Sequence, residues 1–213
     1  MMLKPIKENE HIFTDGKRLY TKNLVKGKSV YGEKLVEYHG IEYREWIADR
    51  SKLAAAIKKR IKIVPIYPGN KVLYLGVAAG TTASHISDIV GWDGVVYGVD
   101  IAPRILRELI PILKERKNII PLLADASKPE EYLHVVSKVD VVYEDVAQPH
   151  QVDIFVKNIE CYLKNGGYGF LAVKARSIDV TKDPKVIFKE VENRLRDYGF
   201  EIVDILRLDP FHR

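Results

Sequence analysis

Residues 71–100 read KVLYLGVAAGTTASHISDIVGWDGVVYGVD, and this stretch decides the fold. A β-branched apolar run at 72–75 empties into a loop containing Gly76, Ala78, Ala79 and Gly80, and a helical pattern begins at Thr81 or Thr82. Strand, glycine turn and helix follow one another. Glycines let such a turn pass close to a ligand, and the helix after it aims unpaired N–H groups at whatever binds there. A second apolar run at 95–99 ends on Asp100, 24 residues after Gly76. A carboxylate at the end of the second strand of an open α/β sheet can hydrogen-bond the two hydroxyls of a ribose. The stretch therefore predicts a nucleoside-cofactor pocket, whereas a bare βαβ unit would need neither the glycine turn nor the acid.

The remaining sequence supports an alternating α/β layout. Apolar runs at 118–123, 139–144, 168–173 and 201–206 are expected strands. Helical patterns fall between them at 103–116, 129–136, 150–163 and 185–198, with Pro103 suited to a first turn and Pro111 to a kink. Such alternation implies a mostly parallel sheet covered on both faces. Residues 11–46 differ: short alternating runs broken by Asp15-Gly16, Gly27, Gly32 and Gly40 predict a small antiparallel unit, with a two-residue hairpin at Asp15-Gly16. An alanine-rich helix, SKLAAAIKKR, opens at Ser51 or just before it. The expected organisation is a β-rich unit over 1–50 and a Rossmann-like α/β unit over 51–213.

Composition limits the partners. With 213 residues and 46% hydrophobic content, the chain can bury one large core. A single cysteine, Cys161, leaves no internal disulfide and no multi-cysteine metal site, which favours a reducing cytoplasm. No apolar run approaches the length of a membrane span, so no membrane association is expected. Residues 1–62 carry seven more Lys/Arg than Asp/Glu, while the rest is slightly acidic. A basic surplus of that kind suits either plain solvation or a polyanion surface.

Four successive strand ends are polar in a consistent way: the turn from Gly76 to Thr82, then Asp100, Asp125 and Asp145. Asp100 suits ribose hydroxyls, Ile101 offers an apolar face to a base, and Asp125 with Ala126 suits the amino group and ring of an adenine. A dinucleotide site would want G-x-G-x-x-G, yet this turn reads G-V-A-A-G-T. A mononucleoside such as S-adenosyl-L-methionine fits better than NAD.

The runs EYREWIADRSKLAAAI, VLYLGVAAGTTASHISDIVG, VYGVDIAPRILREL, LLADASKPEEY, VDVVYEDVAQPHQ and GYGFLAVKARSIDV closely resemble, in order and spacing, the archaeal fibrillarin-like rRNA/tRNA 2′-O-methyltransferases. The resemblance covers nearly the whole chain. It implies the class I S-adenosyl-L-methionine-dependent methyltransferase fold with a small N-terminal β domain, and ribose methylation guided by box C/D RNA. The implied partners are the guide RNA, the target rRNA or tRNA, a Nop-domain scaffold protein and a kink-turn-binding ribosomal-type protein. By the same resemblance Thr82, Ala83, Asp100, Ile101, Asp125, Ala126, Asp145, Val146, Ala147 and Gln148 line the cofactor site, beside Gly76, Ala78, Gly80 and Thr81 of the turn. Lys52, Asp145 and Lys174 match the lysine–aspartate–lysine set of RNA 2′-O-methyltransferases.

That set suits the chemistry. A ribose 2′-hydroxyl is a weak acid, so its attack on a sulfonium methyl needs alignment and help in losing a proton. A lysine beside the hydroxyl can stabilise a developing alkoxide, or act as a base if burial and neighbouring cations depress its pKa. Lys174 is the expected contact to the hydroxyl, Asp145 its orienting partner, and Lys52 a second positive charge. His85 is expected in packing or on the surface, and no metal cluster is visible. Two departures stand out: the family's Glu and following aromatic are Asp100 and Ile101 here, and the family pattern runs on after LDPFHR into a last antiparallel strand missing from this sequence, through truncation or through lack of that strand, so an open sheet edge is expected beside the strand at 201–206. Two other readings share parts of this pattern. One is a methyltransferase acting on protein, for example a glutamine side chain, or on a small molecule; the other is a catalytically silent ribonucleoprotein subunit. The two lysines argue against the first and the intact strand ends against the second.

Overall fold

The structure, a computed structural model, describes residues 2–212; Arg213, the end of the LDPFHR run, lies outside them. The N-terminal part is an antiparallel sheet of β1 (Lys4–Pro5), β2 (Ile12–Thr14), β3 (Leu19–Lys22), β4 (Leu35–Tyr38) and β5 (Ile41–Trp46), in the order β1-β2-β3-β5-β4. The hairpin at Asp15 is longer than the two-residue turn expected from Asp-Gly. Thr14 pairs with Leu19, and the Asp15 carboxylate accepts from Lys17 N and Arg18 N at 2.8 and 2.7 Å, which stabilises a four-residue loop instead.

A short 3-10 turn leads into α1 (Lys52–Lys58), and the second sheet follows. Its strands are β6 (Lys71–Leu75), β7 (Val95–Asp100), β8 (Ile119–Leu123), β9 (Val139–Glu144) and β10 (Leu163–Leu171). All pair in parallel, in the order β10-β9-β6-β7-β8. The chain winds outward from β6 through β7 to β8, then returns to build β9 and β10 on the other side. The crevice at that reversal, between the ends of β6 and β9, is where open α/β sheets bind ligands.

The connecting helices are α2 (Thr81–Val90), α3 (Pro103–Glu115), α4 (Gln151–Tyr162), α5 (Ala175–Ile178) and α6 (Pro184–Asp197). Strand side chains alternate between two cores. Val72, Tyr74, Val141 and Tyr143 join α1, α2, α3 and Trp46 of the antiparallel sheet, while Leu73, Leu75 and Val142 join Ile154, Phe155 and Tyr162 of α4. Burial on both faces explains why β6 reads as a continuous apolar run.

Three expectations change. A short helix not expected from the sequence, α5, forms directly after Lys174, so the loop before α6 begins at Asp179. β10 starts at Leu163, with a register shift between Leu163 and Tyr168 that absorbs Asn165-Gly166-Gly167. The expected strand at 201–206 does not form. Its residues alternate in exposure as a strand's would, but Lys62 N donates to Asp204 Oδ2 (2.9 Å) and Lys62 Nζ to Val203 O (3.1 Å). The segment thus lies against the chain that follows α1, without a ladder partner. Among the described residues β10 is an outer strand of this sheet, and the edge expected to lie open, that of a strand at 201–206, has no counterpart because that strand does not form.

The two sheets meet across α2 through buried charge. Arg44 Nη1 and Arg116 Nη1 donate to the two oxygens of Asp88 at 2.9 and 2.6 Å, and Arg44 Nε donates to Glu33 Oε1 at 2.6 Å. Burial acts to raise the Glu33 pKa, but Arg44 and the Tyr31 and Val30 N–H groups outweigh it and leave it below the ordinary value. His85, fully buried and stacked on Trp46, lies 2.7 Å from both Thr21 Oγ1 and Tyr31 OH. Burial, then Arg44 and Arg116, hold its pKa well below the usual imidazole value, so it packs as a neutral ring.

Candidate functional site

An open cleft of about 450 Å³ sits at the strand ends, lined by Ser51, Lys52, Tyr74, Asp145, the residues from Val77 to Thr82, and also Arg50 and His212. Its floor is the turn after β6. Gly76 has φ +78°, and a Cβ there would stand 2.8 Å from Asp145 O, so only glycine lets the turn pass this close to the end of β9. Gly80 has φ +81° and faces the side chains of Leu109 and Ile112, which brings α3 against the start of α2. Ala78 is left-handed without being glycine (φ +50°), a conformation that costs on the order of 1 kcal/mol and clusters at ligand sites. No side chain caps α2, so the first-turn N–H groups of Thr81, Thr82 and Ala83 have no intrahelical acceptor and suit an anionic group in the cleft.

Asp100 ends β7. Its carboxylate accepts from Ala78 N (3.2 Å) and Ala102 N (3.0 Å), which fixes it toward the turn while lone pairs remain for a diol. Ile101 beside it is 56% exposed, an apolar surface open to contact with a base. Asp125 accepts from Ser127 N (2.9 Å), and the Ser127 N–H and hydroxyl hold its pKa below the usual carboxylate value. Ala126 is buried, its carbonyl taken by Asn158 Nδ2 (2.8 Å). The acceptor carboxylates at the ends of β7 and β8 and the donor N–H groups at the turn together fit an adenosine carrying a charged amino-acid tail.

Some expected lining residues turn inward. Ala83 and Val146 have their side chains in the two cores, so only their main chains can face a ligand. Ala147 is exposed and Gln148 half-buried, on the chain that leaves β9.

The three charged residues come together although they lie far apart in sequence. Lys52 Nζ donates to Asp145 Oδ1 and Oδ2 at 2.7 and 2.8 Å, and Lys174 Nζ lies 3.0 Å from Oδ1 and 3.1 Å from the Asp145 carbonyl. Lys52 is the first residue of α1. Ser51 before it accepts from Ala54 N (3.3 Å) and bonds the Thr82 hydroxyl (2.8 Å), so the lysine's helix is pinned to the start of α2. Residues Leu53 to Ile57 of the helix are all buried. Two ammonium groups on one carboxylate leave a net positive field facing the cleft.

Glu144, one residue before Asp145, was not singled out by the sequence, because an acid inside a strand of valines gives no hint of its depth. It is 1% exposed, and neither carboxylate oxygen has a hydrogen-bond partner among the described residues. Burial, with Asp145 adding and Lys174 opposing, pushes its pKa up to about 9. Neutral Glu144 leaves Asp145 as the charge that both lysines share. It also makes a measurable signature. The folded pKa lies above the unfolded value of 4.5, so the native state holds the extra proton and stability falls as pH rises between about 4.5 and 9, by up to about 1.4 kcal/mol per unit. In Glu144→Gln this slope disappears, and the variant gains on the native protein in melting temperature from pH 5 to pH 9. A difference that stays constant over that range would contradict the assignment.

A model of the fibrillarin family matches residues 5–213. The chain is 58% identical over 196 residues to a fibrillarin-like rRNA/tRNA 2′-O-methyltransferase of Pyrococcus furiosus, covering 92% of this chain and 86% of that protein. Aeropyrum pernix fibrillarin, solved with natively bound S-adenosyl-L-methionine, superposes with a TM-score of 0.91 at 48% identity, covering all of this chain and 95% of the other. A fibrillarin crystallised in complex with Nop5p superposes at 0.86 with 43% identity, covering 98% and 95% of the two chains.

Proposed function

The chain belongs to the fibrillarin family, and from that premise we propose that it transfers a methyl group from S-adenosyl-L-methionine to ribose 2′-hydroxyls of rRNA and tRNA, guided by box C/D RNA within a ribonucleoprotein. The observation that carries this reading is the convergence of Lys52 and Lys174 on Asp145 at the mouth of the cleft. The cofactor, when bound, supplies an electrophilic sulfonium methyl. Asp100 would hold the ribose of the cofactor, Asp125 and Ala126 its base, and the turn and the start of α2 its amino-acid tail. Lys174, held by Asp145, meets the substrate 2′-hydroxyl and stabilises the oxygen as negative charge develops on it during in-line attack. Lys52 adds to the same field. We place the division between the β-rich unit and the methyltransferase unit at Arg50/Ser51, directly before the helix that carries Lys52.

The sequence offers no base-reading motif of the aromatic kind that recognises single-stranded RNA, so guide pairing supplies the specificity. A Nop-domain scaffold and a kink-turn-binding ribosomal-type protein would place the enzyme over the paired ribose; the related fibrillarin crystallised with Nop5p supports the first. Archaeal relatives and a ribosomal substrate support a cytoplasmic location. The test is incubation with labelled cofactor and RNA, using the chain alone, then with guide RNA, then with both proteins. Alkali-resistant dinucleotides should form site-specifically in the complete assembly. Robust site-specific methylation by the chain alone, or label found in protein rather than RNA, would refute the reading.

Cofactor affinity should depend on Asp100. Charged hydrogen bonds to a diol contribute roughly 1.5–3 kcal/mol each, so Asp100→Ala should weaken S-adenosyl-L-methionine binding about tenfold or more with the fold retained. Calorimetry giving native affinity would remove Asp100 from the pocket.

A further inference from the structure

Lys174 stands beyond the ladder that shapes its strand. The last bond of that ladder runs from Ala172 N to Glu144 O (2.9 Å), and α5 starts at Ala175 with no side-chain cap at Lys174. The Lys174 peptide is held by another side chain. Lys174 N donates to Gln151 Oε1 at 2.9 Å, and Gln151 Nε2 donates to Lys174 O at 3.4 Å and to Gln148 O at 2.9 Å. Gln151 is fully buried at the first turn of α4. Its amide thus takes the part of a neighbouring strand's peptide, offering one acceptor and two donors where the sheet has run out. Glutamate has no donor for the two carbonyls, and methionine has neither donor nor a strong acceptor.

The geometry points to Gln151 as a positioning residue for the methyl transfer, one that fixes the main chain of Lys174 so that its ammonium stays on Asp145. Both Asp145 bonds of Lys174, at 3.0 Å to Oδ1 and 3.1 Å to the carbonyl, require that backbone placement, because Lys174 reaches back across the strand ends from outside the ladder. The bond to Gln148 O ties the same amide to the chain leaving β9, so both arms of the charge cluster share one buried anchor. This inference rests on the reading of Lys174 as the group that meets the 2′-hydroxyl.

A double-mutant cycle separates positioning from a general structural role, because residues that act through one another are not additive. In the assembled ribonucleoprotein, Gln151→Met and Gln151→Glu should each lower kcat about tenfold or more, with the KM for cofactor changed less than about twofold. In a Lys174→Ala background the same substitutions should cost nothing further. Amine-reactive labelling read by mass spectrometry should quicken at Lys174 and not at Lys52. Should one variant fail to fold, the other completes the cycle, since the first keeps the packing and the second the shape and polarity. Equal losses in both backgrounds, equal quickening at both lysines, or native kcat would overturn the proposal. Full activity of Lys174→Ala by itself would instead overturn the reading of the lysine on which it rests.

Discussion

Lys174→Ala should lower methyl transfer in the assembled ribonucleoprotein by about 10²-fold or more while cofactor affinity stays near native. The Lys174 side chain is 29% exposed and its Nζ contacts Asp145, which lines the cleft, whereas the groups expected to hold the cofactor lie on the turn after β6 and at the ends of β7 and β8. The substitution therefore removes charge facing the reacting oxygen and leaves the nucleoside contacts in place. An interaction made only as negative charge develops affects kcat, so the loss should fall on kcat rather than on the KM for cofactor. Single-turnover methylation with saturating cofactor, beside calorimetric binding to the same variant, separates the two. Full activity would leave alignment of the hydroxyl as the whole of the mechanism.

At fixed pH, a large loss of stability is expected away from the cleft. Asp88→Ala would remove the ion-pair partner of Arg116, leave Arg44 with Glu33 alone, both arginines being essentially buried, and remove the acceptor used by Thr21 Oγ1 (2.7 Å) and Leu24 N (2.9 Å). Breaking one member of a buried ion pair costs about 3–5 kcal/mol, because the remaining charge keeps its desolvation penalty without compensation. For a chain of this size that corresponds to a fall in melting temperature of roughly 10 °C. The cluster joins the antiparallel sheet to α2, so the loss should also loosen the N-terminal unit, visible as faster amide exchange in β3 and β5. A change below about 1 kcal/mol would mean that the cluster is solvated in solution and does not hold the two sheets together.

Local signals were strong wherever a residue's role depends on its own strand or turn. The apolar run at 72–75, the glycines after it and Asp100 at the next strand end announce the βαβ unit and its pocket, because period, turn chemistry and strand termination are written in neighbouring residues. The runs at 118–123 and 139–144 gave β8 and β9 nearly to the residue for the same reason. The segment at 201–206 carries equally good alternation, yet a strand exists only beside a partner, and its groups are taken up near Lys62. Asp15-Gly16 shows the same limit on a smaller scale, since the carboxylate's bonds to Lys17 and Arg18 outweighed the dipeptide's usual turn.

By itself, the sequence determined the alternating α/β order, the turn where a cofactor fits, the acids at the strand ends and the family resemblance that joins Lys52, Asp145 and Lys174. Each of these depends on local spacing or on a motif carried whole in the chain. Only the tertiary structure decided that these three side chains meet within hydrogen-bonding distance, since 93 residues separate Lys52 from Asp145 and only the packing of α1 against the parallel sheet brings them together. It also decided the fate of the polar residues on α2. Ser84, His85, Ser87 and Asp88 are all buried, because the antiparallel sheet lies over that helix and brings Arg44 to Ser84 and Asp88 and Thr21 to His85 and Asp88, while Asn118 meets Ser87. Glu144 and Gln151 follow the same rule. A buried polar group is recognisable only once the elements that bury it and the partners that meet it, or fail to, are in place.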